Sequence, residues 1–99
     1  MSKVLFEFKY QVYPEKIDEY LQAIQKIKEY AKDALHGQYY AYRSNKDSDT
    51  FNEIFVCDSE EDYENFEDNL TDEMRDIFEK VMTEYAVDNQ VTYQTYTEI

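Results

Sequence analysis

Residues 4 to 12 alternate: Val4, Phe6, Phe8, Tyr10 and Val12 fall on one face, and Glu7, Lys9 and Gln11 on the other. A period of two predicts a strand with one buried side. Pro14 and Glu15 then suit the first turn of a helix, and Ile17, Tyr20, Leu21, Ile24, Ile27, Ala31, Ala34 and Leu35 follow at three-and-four spacing. That stripe runs for about five turns. Gly37, the only glycine, should end it in the left-handed conformation. Residues 38 to 44 are rich in tyrosine and predict a second strand, closed by the polar turn 45 to 49. In residues 51 to 57, Phe51, Phe55 and Cys57 point one way and Ile54 and Val56 the other. A strand apolar on both faces belongs at the centre of a sheet. Ser59 with Asp62 reads as a helix cap leading to Tyr63, Phe66 and Leu70. The pattern resets at Thr71, where a further helix starts and carries Met74, Ile77, Phe78, Val81 and Tyr85. Residues 91 to 99 alternate again as a fourth strand, with Asp88 and Asn89 as the turn before it.

The order of these elements predicts an α+β chain of one domain, residues 1 to 99. It is a ferredoxin-like βαββαβ arrangement with a four-stranded antiparallel sheet, helices on one face and the second helical segment broken in two. The other sheet face is then bare. It would carry both rings and charges, too apolar to leave open and too polar for a core, so a second copy of the chain is expected to cover it. Glu7, Lys9, Arg43 and Glu53 are the residues expected at that homodimer interface, as structural ion pairs.

Composition narrows the partners. Ten basic against 23 acidic residues give a net charge of −13, which repels phosphate backbones and anionic headgroups, so neither nucleic acid nor membrane is an expected partner. A basic protein partner remains open. Cys57 is the one cysteine and allows no internal disulfide, and no apolar run approaches membrane-spanning length. A soluble cytoplasmic protein is the expectation. Eleven Tyr and six Phe among 99 residues imply walls of rings with hydroxyls reaching water or a partner.

The stretch Glu53-Ile54-Phe55-Val56-Cys57-Asp58-Ser59-Glu60-Glu61-Asp62-Tyr63-Glu64-Asn65-Phe66 is a strand, a short turn with a serine cap, then a helix. With the order of elements, it resembles the dimeric α/β-barrel superfamily, in particular the antibiotic-biosynthesis-monooxygenase-like domains. The resemblance implies a homodimer with a small-molecule site in each subunit, and in some members oxygenation chemistry. Family members often carry a tryptophan near the end of this strand and a histidine in the helix after it. This chain has no Trp, and Phe66 stands where the histidine would align. The departure sets the family's haem-degrading and cofactor-free oxygenation chemistry apart from its fold.

No catalytic constellation stands out. His36, the only histidine, reads as a helix-end interaction beside Gly37, and Cys57 as a small buried hydrophobe. Asp47, Asp49, Asp58, Glu60, Glu61 and Asp62 lack the spacing of a calcium loop and read as turns and caps, so neither a metal nor a cofactor is expected. The expected function is binding of an apolar or aromatic small molecule, with Tyr10, Phe8, Tyr63, Phe66 and Tyr93 lining the pocket. A cofactor-free oxygenase acting on an aromatic or polyketide-like substrate and a structural interaction protein are the alternatives.

Overall fold

The computed structural model describes residues 2 to 99. Strand β1 (Val4–Val12) leads through a single 3-10 turn at Pro14–Lys16 into α1 (Ile17–Ala34). Strands β2 (Tyr39–Arg43) and β3 (Thr50–Cys57) form a hairpin. Then come α2 (Glu60–Asp68), α3 (Asp72–Lys80), a π turn (Val81–Tyr85) and β4 (Ala86–Thr97). The four strands lie in the order β2-β3-β1-β4, and all neighbours are antiparallel. Strand β3 is flanked on both sides, which accounts for its apolar content on both faces.

Local chemistry explains the helix boundaries. Ser59 Oγ accepts the Asp62 amide at 3.1 Å, and Thr71 Oγ1 accepts the Met74 amide at 3.2 Å, so each serves an N–H left free in a first turn. The break at Asn69 therefore separates two independently capped helices. At the end of α1, the Leu35 and Gly37 amides both donate to the Ala31 carbonyl at 2.9 Å. His36 (φ 53) shares the left-handed conformation with Gly37 (φ 77), so the helix ends on two such residues rather than one.

Tyr20, Ile24, Ile27, Ala31 and Leu35 of the α1 stripe are buried. Two residues assigned to that stripe are corrected: Leu21 is 39% exposed, and Ala34 is exposed as well. A helix resting on one sheet buries a narrower strip than its full run of apolar positions. The fourth strand starts five residues earlier than its alternation suggests, at Ala86. Asp88 (φ 54) and Asn89 (φ 56) lie inside it as a bulge, where the ladder passes from Val12↔Ala86 to Tyr10↔Val91. Short polar side chains tolerate that left-handed backbone, which is why these residue types resemble a turn in the sequence.

The helix-facing side of the sheet carries Phe6, Tyr10, Val12, Tyr39, Phe51, Phe55 and Cys57, all buried. On the opposite face Leu5 pairs with Val56 and Tyr96, Glu7 with Ile54 and Gln94, and Lys9 with Asn52 and Thr92. Two expected interface residues are misplaced by the sequence reading. Glu53 is 1% exposed and faces the helices, because it shares the parity of Phe51, Phe55 and Cys57. Arg43 pairs with Phe51 and lies on that same side, its guanidinium 5.3 Å from the centre of the Phe51 ring. Glu7 and Lys9 do lie on the open face.

Candidate functional site

Two side-chain clusters occupy the space between helices and sheet. The first surrounds Glu53. Tyr10 donates its hydroxyl to Glu53 Oε2 and Tyr39 donates to Oε1, each at 2.6 Å. The Tyr10 and Tyr20 hydroxyls are 2.8 Å apart. Since Tyr10 gives its one proton to the carboxylate, Tyr20 donates to Tyr10. No Lys, Arg or His pairs with Glu53 among the described residues. Three phenols drawn from β1, α1 and β2 thus replace the cation that a buried carboxylate usually requires. Burial raises the Glu53 pKa, and the two phenol hydrogen bonds pull it partway back. Tyr10, Tyr20 and Tyr39 are all pushed well above the ordinary phenol value, by burial first and then by the Glu53 charge. The network is a sealed polar element in an otherwise apolar core.

The second cluster is aromatic and partly open. Phe6 stacks parallel on Phe55 at 4.6 Å, meets Tyr63 edge-on at 5.1 Å and approaches Phe66 at 5.9 Å. Phe8 lies 4.9 Å from Tyr93. Pairs of this kind contribute about 0.5–1.5 kcal/mol beyond their buried area. The cluster opens toward solvent on its β4 side: Phe8 is half-buried and Tyr93 is 44% exposed. Across that opening the Tyr63 hydroxyl of α2 and the Tyr93 hydroxyl of β4 stand 2.6 Å apart. The Tyr93 contact, burial and the nearby Glu67 carboxylate all raise the Tyr63 pKa, so its phenol stays protonated at neutral pH.

Four of the five residues expected to line a pocket, Phe8, Tyr63, Phe66 and Tyr93, therefore gather around Phe6. Tyr10 does not join them, because its ring packs edge-on against Tyr20 at 5.8 Å and its hydroxyl is committed to Glu53. Tyr40, Tyr42 and Tyr96 are exposed on the opposite face of the sheet. Phe6 and Tyr20, expected from the sequence only as apolar positions of a strand and a helix, and Glu53, expected at the dimer interface, are central to the two clusters. The inward parity of Glu53 between Phe51 and Phe55 was the signal that could have shown its burial.

His36 and Cys57 line a separate cleft of about 210 Å³ between the C-terminal end of α1 and α2. Burial, followed by Asp62 and Asp58, pushes the Cys57 thiol up to about 11, which leaves it protonated and unsuited to nucleophilic attack at neutral pH. His36 Nε2 is 4.0 Å from Asp58 Oδ2 at an exposed position. Among the described residues no three His, Cys, Asp or Glu side chains are arranged to hold a metal, and no helix is long and apolar enough to cross a membrane.

No protein-family model and no curated protein sequence matches the chain. Solved structures do. A conserved protein from Methanosarcina mazei Go1 superposes with a TM-score of 0.81 at 16% identity, over 100% of this chain and 95% of its own. An antibiotic biosynthesis monooxygenase gives 0.74 at 16%, over 100% and 99%. A cofactor-independent oxygenase from Streptomyces nogalater gives 0.72 at 8%, over 95% and 90%. The shared property at such identities is the fold, which is the ferredoxin-like fold of the antibiotic-biosynthesis-monooxygenase-like proteins.

Proposed function

We propose that this chain is a homodimeric binding protein for a flat aromatic small molecule, taken up where Phe8, Tyr63 and Tyr93 open between α2 and β4. The observation that carries the reading is the Tyr63–Tyr93 hydroxyl pair, 2.6 Å apart on a ring wall of which Tyr93 is 44% exposed. Rings supply stacking area with little side-chain entropy to lose, and the paired hydroxyls supply one donor and one acceptor for a polar substituent. The oxygenase named among the structural neighbours suggests catalysis at the same place. We favour binding, because what surrounds Phe6 is rings and phenols that stack and hydrogen-bond, with the Glu67 carboxylate beside Tyr63.

The homodimer is the second half of the proposal. Leu5, Ile54, Val56 and Tyr96 form an apolar strip on the open sheet face beside Glu7 and Lys9, and a like surface from a second copy would cover it. A stable pair of this kind buries about 800 Å² per partner. Reciprocal Glu7–Lys9 pairs would then fix the register, one on each side of the two-fold axis.

Titration with 1,5-dihydroxynaphthalene, followed by calorimetry and by tyrosine fluorescence, tests the binding reading. Saturable binding is expected, weakened about tenfold in Tyr93→Ala, the loss of roughly one stacking contact and its hydrogen bond. An oxygen electrode in the same experiment reads catalysis directly. Binding that is absent, or that is unchanged in Tyr93→Ala, overturns the assignment of the site. Light scattering at micromolar concentration tests the dimer, and a clean monomer would remove it.

A further inference from the structure

We infer that the cleft between α1 and β2 binds a small organic monocarboxylate, with the apolar body inward and the carboxylate held at the rim by Arg43 and Lys28. The cleft is open on one side and has a volume of about 120 Å³. That is close to the size of a cavity that accommodates one benzene ring, so a single ring or a short chain fits it. Its floor is apolar and buried: Ile24 and Phe51 are each 4% exposed, and Tyr20 is 1% exposed. Leu21 also lines it, which gives a role to the one large aliphatic side chain of α1 left in solvent.

Charge distinguishes this cleft from the rest of the surface. The chain carries 23 acidic and ten basic residues, yet Lys28 and Arg43 both border the cleft and no Asp or Glu lines it. Among the described residues neither cation forms an ion pair. In a field set by a net charge of −13, two unpaired cations beside one apolar floor form a local anion-attracting site. Arg43 is also held in place. Its Nε donates to the Ser48 carbonyl and its Cζ lies over the Phe51 ring, 5.3 Å from the ring centre, which leaves the terminal nitrogens for a carboxylate. Glu53 lies across the ladder from Ala41, another lining residue, but its carboxylate is turned to Tyr10 and Tyr39 and sealed from solvent. It does not reach the ligand. An amine would meet two like charges at the rim, and a neutral ring would gain nothing from them.

The test is an NMR amide titration of the intact protein with sodium benzoate, with benzyl alcohol as the neutral isostere. Saturable shifts are expected at Leu21, Ala41 and Phe51, with benzyl alcohol about tenfold weaker. Arg43→Gln and Lys28→Gln should each weaken benzoate by a similar factor, and added sodium chloride should weaken it further. Lys28→Gln lies on an exposed helix position and keeps the test valid if Arg43→Gln disturbs the hairpin. Equal affinity for benzyl alcohol, or unchanged affinity in both variants, overturns the inference. So does a set of shifts confined to Phe8 and Tyr93, a result that would leave the aromatic site proposed above standing by itself.

Discussion

Replacing Glu53 by glutamine tests the buried carboxylate. The side chain is 1% exposed and holds two phenols at 2.6 Å, with Tyr20 behind Tyr10 at 2.8 Å. Burial raises the folded-state pKa above the ordinary value of 4.5. The linkage sign follows from that direction. The folded state holds the proton more tightly than the unfolded chain, so Glu53 contributes its full stability below about pH 4.5 and loses it as pH rises through the folded pKa. Glutamine keeps the shape and one acceptor oxygen but does not titrate. Wild-type stability minus that of Glu53→Gln should therefore fall as pH rises above about 4.5, by at most about 1.4 kcal/mol per pH unit. Urea unfolding of both proteins at matched pH measures this difference, and the remaining carboxylates cancel between them. Glu53→Leu gives the scale of the network itself. It strands the Tyr10 and Tyr39 hydroxyls and should cost about 2–5 kcal/mol. A difference that is flat with pH, or one in which wild type gains on the variant as pH rises, would refute the reasoning. A flat difference would mean that the phenols cancel the effect of burial, and a gain would mean that they outweigh it.

Ser59→Ala removes the acceptor of the Asp62 amide and should lower stability by about 1 kcal/mol in the same unfolding assay, leaving the denaturant slope unchanged. Cys57 is 1% exposed with its thiol at about 11, so a thiol reagent at pH 8 meets about one thiolate in a thousand and should label the native protein far more slowly than the urea-unfolded chain. Sodium chloride should strengthen self-association measured by sedimentation, because each copy carries −13; association that weakens with salt would point to ion pairs as the main attraction between copies.

Periodicity made most of the fold legible. The alternation of residues 4 to 12, the three-and-four spacing of Tyr20, Ile24, Ile27 and Ala31, and the caps at Ser59 and Thr71 each rest on local backbone chemistry that one chain segment specifies by itself. Glu53 is expected at the dimer interface because a charged strand residue is ordinarily placed on the face away from the core, whereas it is buried beneath the helices. Its burial depends on tyrosines 43, 33 and 14 positions away, brought together only by the β2-β3-β1 order and the helix above it. The same non-locality explains why Tyr10 separated from Phe8 although both share one strand face. Arg43 was drawn to the helix side by a cross-strand partner, Phe51, that no local pattern could name. Asp88 and Asn89 have turn chemistry, and only the register with β1 shows that the strand continues through them.

That bulge has a consequence for how copies of the chain meet side by side. Strand β4 is the last in the sheet, 12 residues long, and its second half, Thr92 to Thr97, carries no charged residue. A flat strand of that kind offers free amides and carbonyls to any other chain as a template for further pairing. Asp88 and Asn89, both left-handed, interrupt the template near its start. Within β4 the uninterrupted stretch beyond Val91 remains open to edge pairing, and the charge of −13 on each copy opposes that approach until the pH nears the isoelectric point of about 4.2, below which the ten basic residues restore repulsion. Titration to that isoelectric point is then the condition that most weakens the charge barrier to ordered aggregation along β4.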